Sequence, residues 1–212
     1  LMMHINRETI RGANEIVEDA LQIDLLNGAG IIRYAGAAVT KATVSGETGS
    51  ICEVTYDDLV RLGISLDNHR CGKKTSMITG SQMATITTIQ GARVMFVGSE
   101  MIPTLNAMVD SHGNPAFIPT HKYAAATTPL RGEIGAVDQF RIVVVPEMMS
   151  YVGAGATETG SNAGYRATGA KYDVFPMLVV GDKSFTTIGF QSDGKSMKFQ
   201  VFHKAPGREV AD

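Results

Sequence analysis

The stretch Ala92-Arg93-Val94-Met95-Phe96-Val97-Gly98-Ser99-Glu100-Met101-Ile102-Pro103 decides the architecture. Its mostly apolar first half reads as a buried strand, Gly98-Ser99-Glu100 as a turn, and residues 101–110 as a helix. Pro103 sits late for a first-turn proline if Ser99 is the cap, so the helix is expected to begin one or two residues further on. Phe140-Arg141-Ile142-Val143-Val144-Val145 is a second, β-branched run, closed by Pro146. A near-continuous apolar run belongs to a strand covered on both faces, hence to a central strand. Strands of this kind beside helical segments place the chain in the α+β class.

Toward the N-terminus, residues 6–27 carry Ile10, Ala13, Ile16, Val17, Ala20 and Leu21 at spacings of three and four. Arg7, Glu8, Arg11, Asn14, Glu15, Glu18 and Asp19 lie between them, which predicts an amphipathic helix of about six turns with one face docked. Gly28 after Asn27 supplies its stop. Residues 28–45, rich in Gly, Ala and β-branched side chains, read as a bend leading into a strand. Thr55 followed three residues later by Asp58 caps a second helix, with Leu59, Leu62 and Leu66 as its inner stripe and Asp67-Asn68 as its end.

Residues 70–74 form a short basic cluster, and residues 75–90, rich in Ser, Thr and Gln, read as a loop with edge-strand character. His112-Gly113-Asn114-Pro115 marks a turn, and an irregular passage with Pro119 and Pro129 runs on to Arg131. Residues 151–171 contain Gly153, Gly155, Gly160, Gly164 and Gly169 and little to bury, so they read as a loop with a job or a loop that moves. Residues 175–180, 185–190 and 197–203 read as antiparallel strands joined by turns at Gly181-Asp182 and Asp193-Gly194.

The 212 residues suffice for one sizeable domain or two lobes sharing a core. Hydrophobic residues at 44% and charged residues at 19% exclude a disordered, collagen-like or coiled-coil chain. Lys+Arg number 19 against Asp+Glu 21, so the basic excess that grips a phosphate backbone is absent, and nucleic-acid contact is expected to be local or incidental. Cys52 and Cys71 make no disulfide framework, which suits a reducing interior. Apolar runs such as residues 140–145 fall far short of the ~20 residues a membrane-crossing helix needs, and no membrane partner is expected. A chain starting Leu1-Met2-Met3 reads as a fragment, and both ends are expected to be incomplete.

Catalytic and cofactor motifs fail on inspection. Gly72-Lys73-Lys74-Thr75 has Asp67 at the first glycine position of a phosphate loop and Lys74 where the magnesium hydroxyl belongs. Gly153-Ala154-Gly155 has Glu158 in place of the third glycine of a dinucleotide fingerprint. His4, His69, His112, His121 and His203 are scattered without ligand spacing, and His69 and Cys71 sit among Arg70, Lys73 and Lys74, which repel a cation. The expectation is no catalytic residue, no cofactor and no metal. The 11 methionines suit core filling or an adaptable surface.

The passage from Ala92 to Pro103, then Phe117-Ile118-Pro119 with Tyr123, then Leu130-Arg131-Gly132-Glu133-Ile134-Gly135 leading into Phe140-Arg141-Ile142, resembles the major capsid proteins of tailed bacteriophages in the Hong Kong 97-type fold lineage. Residues 130–142 are the most specific segment, and residues 175–186, with Gly181-Asp182-Lys183 at their turn, look like the family's returning strand pair. The resemblance implies a peripheral lobe with the spine helix over residues 1–54, an axial lobe over 55–174, and strands returning to the peripheral lobe over 175–212. The family's N-terminal arm and extended loop, which should precede the spine helix, have no counterpart in this sequence.

It further implies a non-enzymatic coat protein that assembles with copies of itself into hexamers and pentamers of an icosahedral shell in the host cytoplasm. Scaffolding, portal and cementing proteins are the expected partners in the virion. The shell would enclose double-stranded DNA without specific recognition, and the slight negative charge suits such a wall. An encapsulin-type nanocompartment shell is the alternative. Arg131 and Glu133, in the tight Gly132/Gly135 stretch, are expected to fix local geometry or a neighbour's register, against the plainer reading of a solvated surface ion pair. Glu15, Glu18, Tyr151 and Arg166 complete the expected assembly surface.

Overall fold

The computed structural model describes residues 2–78, 86–123, 130–181 and 184–185. Two units divide the chain, Leu1–Asp182 and Lys183–Asp212, and every element named here lies in the first. In chain order these are α1 (Met2–Asn27), α2 (Tyr56–Asn68), β1 (Lys74–Ile78), β2 (Ile86–Gln90), β3 (Arg93–Val97), α3 (Ile102–Ala107), β4 (Ile118–Pro119), β5 (Glu133–Val137), β6 (Phe140–Val144), β7 (Ala167–Thr168), β8 (Lys171–Tyr172) and β9 (Met177–Val180). The strands expected over 185–190 and 197–203 lie outside the described residues, residue 185 apart.

The two apolar runs behave as their composition requires. β3 and β6 pair in parallel within a five-stranded sheet ordered β4-β5-β6-β3-β9, each with a neighbour on both edges. The remaining pairings, β4 with β5, β5 with β6 and β3 with β9, are antiparallel. Period-two alternation sends Met95, Val97, Phe140 and Ile142 to one face, where they meet Leu59 and Leu66 of α2 and Leu105 of α3. Val94 and Val143 face the other way, against Phe96 and Leu130. Full burial of Ile142 means that truncation to Ala should cost about 2–5 kcal/mol.

α2 begins where the sequence places it. Thr55 Oγ1 accepts the Asp58 N–H at 3.3 Å and Asp58 Oδ2 accepts the Thr55 N–H at 3.0 Å, so two otherwise orphaned donors are satisfied. α3 follows a 3-10 turn over Ser99–Met101, which leaves Pro103 in its first turn, where no helical hydrogen bond is lost. It stops at Ala107 because Met108 turns extended and buries its side chain in the core.

The structure departs from the sequence reading in several places. Residues 28–45 hold no strand; they contain a 3-10 turn over Lys41–Thr43. There Thr43 Oγ1 accepts from Thr40 N–H at 3.1 Å and donates to Thr40 carbonyl oxygen at 2.9 Å, and this local bonding outcompetes a ladder. The edge-strand character expected over 75–90 is met by β1 and β2, which form a regular antiparallel pair in register from Lys74↔Gln90 to Ile78↔Ile86 where a loop was expected to dominate. β5 is a strand the sequence pattern did not announce. Finally, α1 starts at Met2, and its docked face is confined to the last turns, where Gln22 is buried and its Oε1 accepts the Met149 N–H at 3.0 Å. Ile10, Ile16, Val17 and Ile23 are exposed, so the apolar stripe finds no cover within the first unit.

Candidate assembly interface

Four buried charged side chains, grouped in three places, organise the described chain. The first is Glu133 at the start of β5, whose side chain has no exposed area. Its Oε1 accepts from Tyr123 Oη at 2.8 Å and from Arg141 Nε at 2.8 Å; its Oε2 accepts from Leu130 N–H at 2.7 Å and Arg141 Nη2 at 2.5 Å. Burial alone would raise the Glu133 pKa, but the bonds from Arg141, Leu130 and Tyr123 outweigh it and hold the carboxyl below its ordinary value. Tyr123, buried against that carboxylate, is pushed up to about 12.

The second is Glu47. It accepts from Thr159 N–H at 2.5 Å, from Ser161 N–H at 3.1 Å, from the Ser161 hydroxyl, and from Tyr172 Oη at 3.0 Å. These bonds, Ser161 foremost, bring its pKa down to about 2. Asp173 adds a second buried carboxylate in the same region, accepting from Gly153 N–H at 2.7 Å and Thr168 Oγ1 at 2.9 Å. The Gly-rich segment 151–171 is therefore held in one shape, because its polar backbone is gathered onto carboxylates, one of them more than a hundred positions upstream in the sequence. Gly155 fits because a Cβ there would stand 2.7 Å from the Val44 carbonyl oxygen.

The third is Arg93, fully buried at the start of β3. Its guanidinium donates to Asp67 Oδ1 at 2.6 Å, to the Cys71 carbonyl oxygen and to Gln139 Oε1, tying the end of α2 to the β5–β6 turn. Asp67 is held below its ordinary pKa by Arg93 first and by Lys73 second.

The expected surface residues fall on three elements. Glu133 pairs with Arg141 rather than with Arg131, so the solvated-pair reading fails for Glu133, whereas Arg131 is exposed beside it. Glu15 forms an exposed pair with Arg11 one turn away, at 3.0 Å, and Glu18 is exposed on the same helix. Tyr151 is bridged to Val174 and covered by the Lys41 ammonium 3.8 Å from its ring centroid. Arg166 pairs with Asp173 at 3.0 Å and Glu100 at 3.3 Å, so its charge is already met within the chain. The sequence reading missed Glu47, Asp173 and Arg93. Glu47 and Arg93 lie in stretches whose local pattern gives no sign of partners tens of positions away, and Asp173 is gathered by Thr168, Arg166 and Gly153 of the preceding segment in no recognisable spacing.

Among the described residues there is no cluster of three or more potential metal ligands and no helix long and apolar enough to cross a membrane. A hollow between Gly98, Met148, Met149 and Phe175 holds about 160 Å³, below the usual 300–1,000 Å³ of a small-molecule site, and a groove of about 410 Å³ is lined only by residues of α1, among them Arg7, Ile10, Asn14 and Glu18. What the surface offers is edges: a solvent-exposed amphipathic helix, an exposed Ile118 on edge strand β4, and a loop fixed by internal carboxylates. All 212 residues align with the "Major capsid protein" of Pseudomonas phage KPP21. The two are 53% identical, and the alignment covers 100% of this chain and 52% of that protein, so the chain spans about half the length of that relative. No family model matches the chain. At such identity the two share a fold over the aligned half, mixed helix and sheet.

Proposed function

We propose that this chain is part of the major capsid protein of a tailed bacteriophage and works by tiling with copies of itself, not by catalysis. The observation that carries this reading is the 53% identity to a phage coat protein across every residue of the chain. Its phage source favours a virion shell over a nanocompartment. The proposal extends to the Hong Kong 97-type fold, with α1 as spine helix and a peripheral lobe over 1–54, an axial lobe over 55–174, and residues 175–212 returning to the peripheral lobe. Hexamers and pentamers would close an icosahedral shell, assembled in the host cytoplasm, around DNA held without specific recognition.

In such a shell each contact is modest and repetition makes the whole stable. The carboxylate-centred networks then serve to hold edges in one shape before a neighbour arrives, which lowers the ordering cost of association. Glu133 fixes local geometry, and Arg131, Glu15, Glu18, Tyr151 and Arg166 are proposed as positions that meet neighbours. Electron microscopy of the full-length product expressed alone tests the reading. Closed shells or hexameric rings are expected, and monodisperse monomers under all conditions would overturn it.

A further inference from the structure

Asn27 closes α1 and Gly28 follows it, both exposed, and of the asparagines in the sequence only Asn27 precedes a glycine. The pairing matters because the amide carbon of an asparagine is open to attack by the backbone nitrogen of the next residue, and a glycine puts no side chain in the way of that approach. The Asn27 side chain makes no hydrogen bond among the described residues, so nothing holds its amide aside. What stands against reaction is the helix. The Gly28 N–H donates to the Asp24 carbonyl oxygen at 2.8 Å, and helical backbone at Asn27 keeps that nitrogen away from Cγ. Only this one bond has to open, at a helix end, where fraying is ordinary.

Asn68 is a built-in comparison. It closes α2 as Asn27 closes α1, it is exposed, and the next N–H, that of His69, donates to the Ser65 carbonyl oxygen at 3.2 Å. The residue that supplies the nitrogen is what differs: His69 stands where α1 has Gly28. Elsewhere the approach is blocked in other ways. Asn114 precedes Pro115, whose nitrogen has no proton to lose. Asn162 is pinned, its Nδ2 donating to the Tyr165 carbonyl oxygen at 2.8 Å and its Oδ1 accepting the Tyr165 N–H at 2.8 Å.

We propose that Asn27 is a site of spontaneous deamidation and that the carboxylate formed there loosens the joint between α1 and the core. The Gly28 nitrogen loses its proton and bonds to Asn27 Cγ, the Cγ–Nδ2 bond breaks, and ammonia leaves a five-membered succinimide. Water then opens one of the two ring carbonyls, giving aspartate or isoaspartate. The new charge falls at the negative end of the helix and three residues from Asp24, and both placements are unfavourable. The joint is short. Just upstream, Gln22 Oε1 fastens α1 to the Met149 N–H at 3.0 Å, and just downstream Ile31 packs against the core.

The full chain, kept warm at mildly alkaline pH, sampled over days and mapped by peptide mass spectrometry, tests the chemistry. Residue 27 should gain about 1 Da, divided between aspartate and isoaspartate, at least about tenfold faster than residue 68. His69→Gly, with its fold checked by circular dichroism, should bring Asn68 to within about threefold of the Asn27 rate, because it supplies the missing glycine. Conversion of Asn27 no faster than Asn68 in the folded chain, while the same chain in urea converts Asn27 far faster, means that the helix end shields the site and overturns the proposal. Asn27→Asp tests the consequence: amide exchange over residues 22–28 should quicken by about threefold or more while β3 and β6 keep their protection. Unchanged exchange over residues 22–28 overturns the loosening.

Discussion

Replacing Glu133 with alanine removes one carboxylate and strands several groups at once. The Tyr123 hydroxyl, the Leu130 N–H and two guanidinium nitrogens of Arg141 lose their acceptor, and the Arg141 side chain is only 16% exposed. Breaking a buried pair by deleting one member costs about 3–5 kcal/mol, because the remaining charge stays desolvated. The partial exposure of Arg141 allows some rehydration and places the expected loss near the lower end, about 3 kcal/mol. Urea denaturation at neutral pH measures it. Glu133→Leu combined with Arg141→Met should recover most of the loss, to within ~1–2 kcal/mol, since the double change leaves no orphaned charge. The native carboxyl titrates below its ordinary value, so its contribution is complete above the unfolded pKa, taken as 4.5, and fades as pH falls through the lowered one. The variant should therefore lose less stability on acidification than the parent. A single-variant loss under ~1 kcal/mol, or a double change as costly as the two singles summed, would refute the account of Glu133 as a buried hub.

Further outcomes follow from the same structure. Glu47→Gln should loosen residues 157–162, read as faster amide exchange there at neutral pH; in the parent the same loosening should appear only as pH falls from 4.5 toward about 2. Asp67→Ala should lower the denaturant midpoint more than Lys73→Ala does, because it removes an acceptor from the buried Arg93 guanidinium, whereas Lys73 is an exposed partner. Gly135→Ala would place a Cβ 2.5 Å from the Ile118 carbonyl oxygen and from the Phe117 ring, and should lower stability by at least about 1–3 kcal/mol, measured by calorimetry. Thr55→Ala should cost about 1 kcal/mol and Thr55→Ser much less, by thermal unfolding, because only the hydroxyl acceptor at the start of α2 matters.

Elements whose reason for existing is local were readable in the sequence. β3, β6 and β9 are runs of apolar and β-branched residues, and α2 carries its own start signal in Thr55 and Asp58. The late start of α3 followed from where Pro103 is tolerated. What escaped is fixed by distant partners. β5 has the sequence Glu-Ile-Gly-Ala-Val, whose opening charge argues against a strand until Arg141 of β6 is known to meet it. Arg93 hides inside a hydrophobic run because its acceptors come from α2 and the turn at Gln139. The glycines of residues 151–171 suggest looseness, and only Glu47, far upstream, converts that looseness into fixed shape. The exposed stripe of α1 is a different case: periodicity reports that a face is apolar, not which molecule covers it.

Tyr123 and Leu130 grip the same carboxylate, so the described chain on either side of residues 124–129 is tied to a single anchor. Loop-closure entropy grows slowly with length, so with both ends fixed on Glu133 a few added residues should cost little. Residues inserted between those two positions should therefore leave the pairing of β5 with β6 in place, a tolerance that a stretch bonded into the ladder itself would not have.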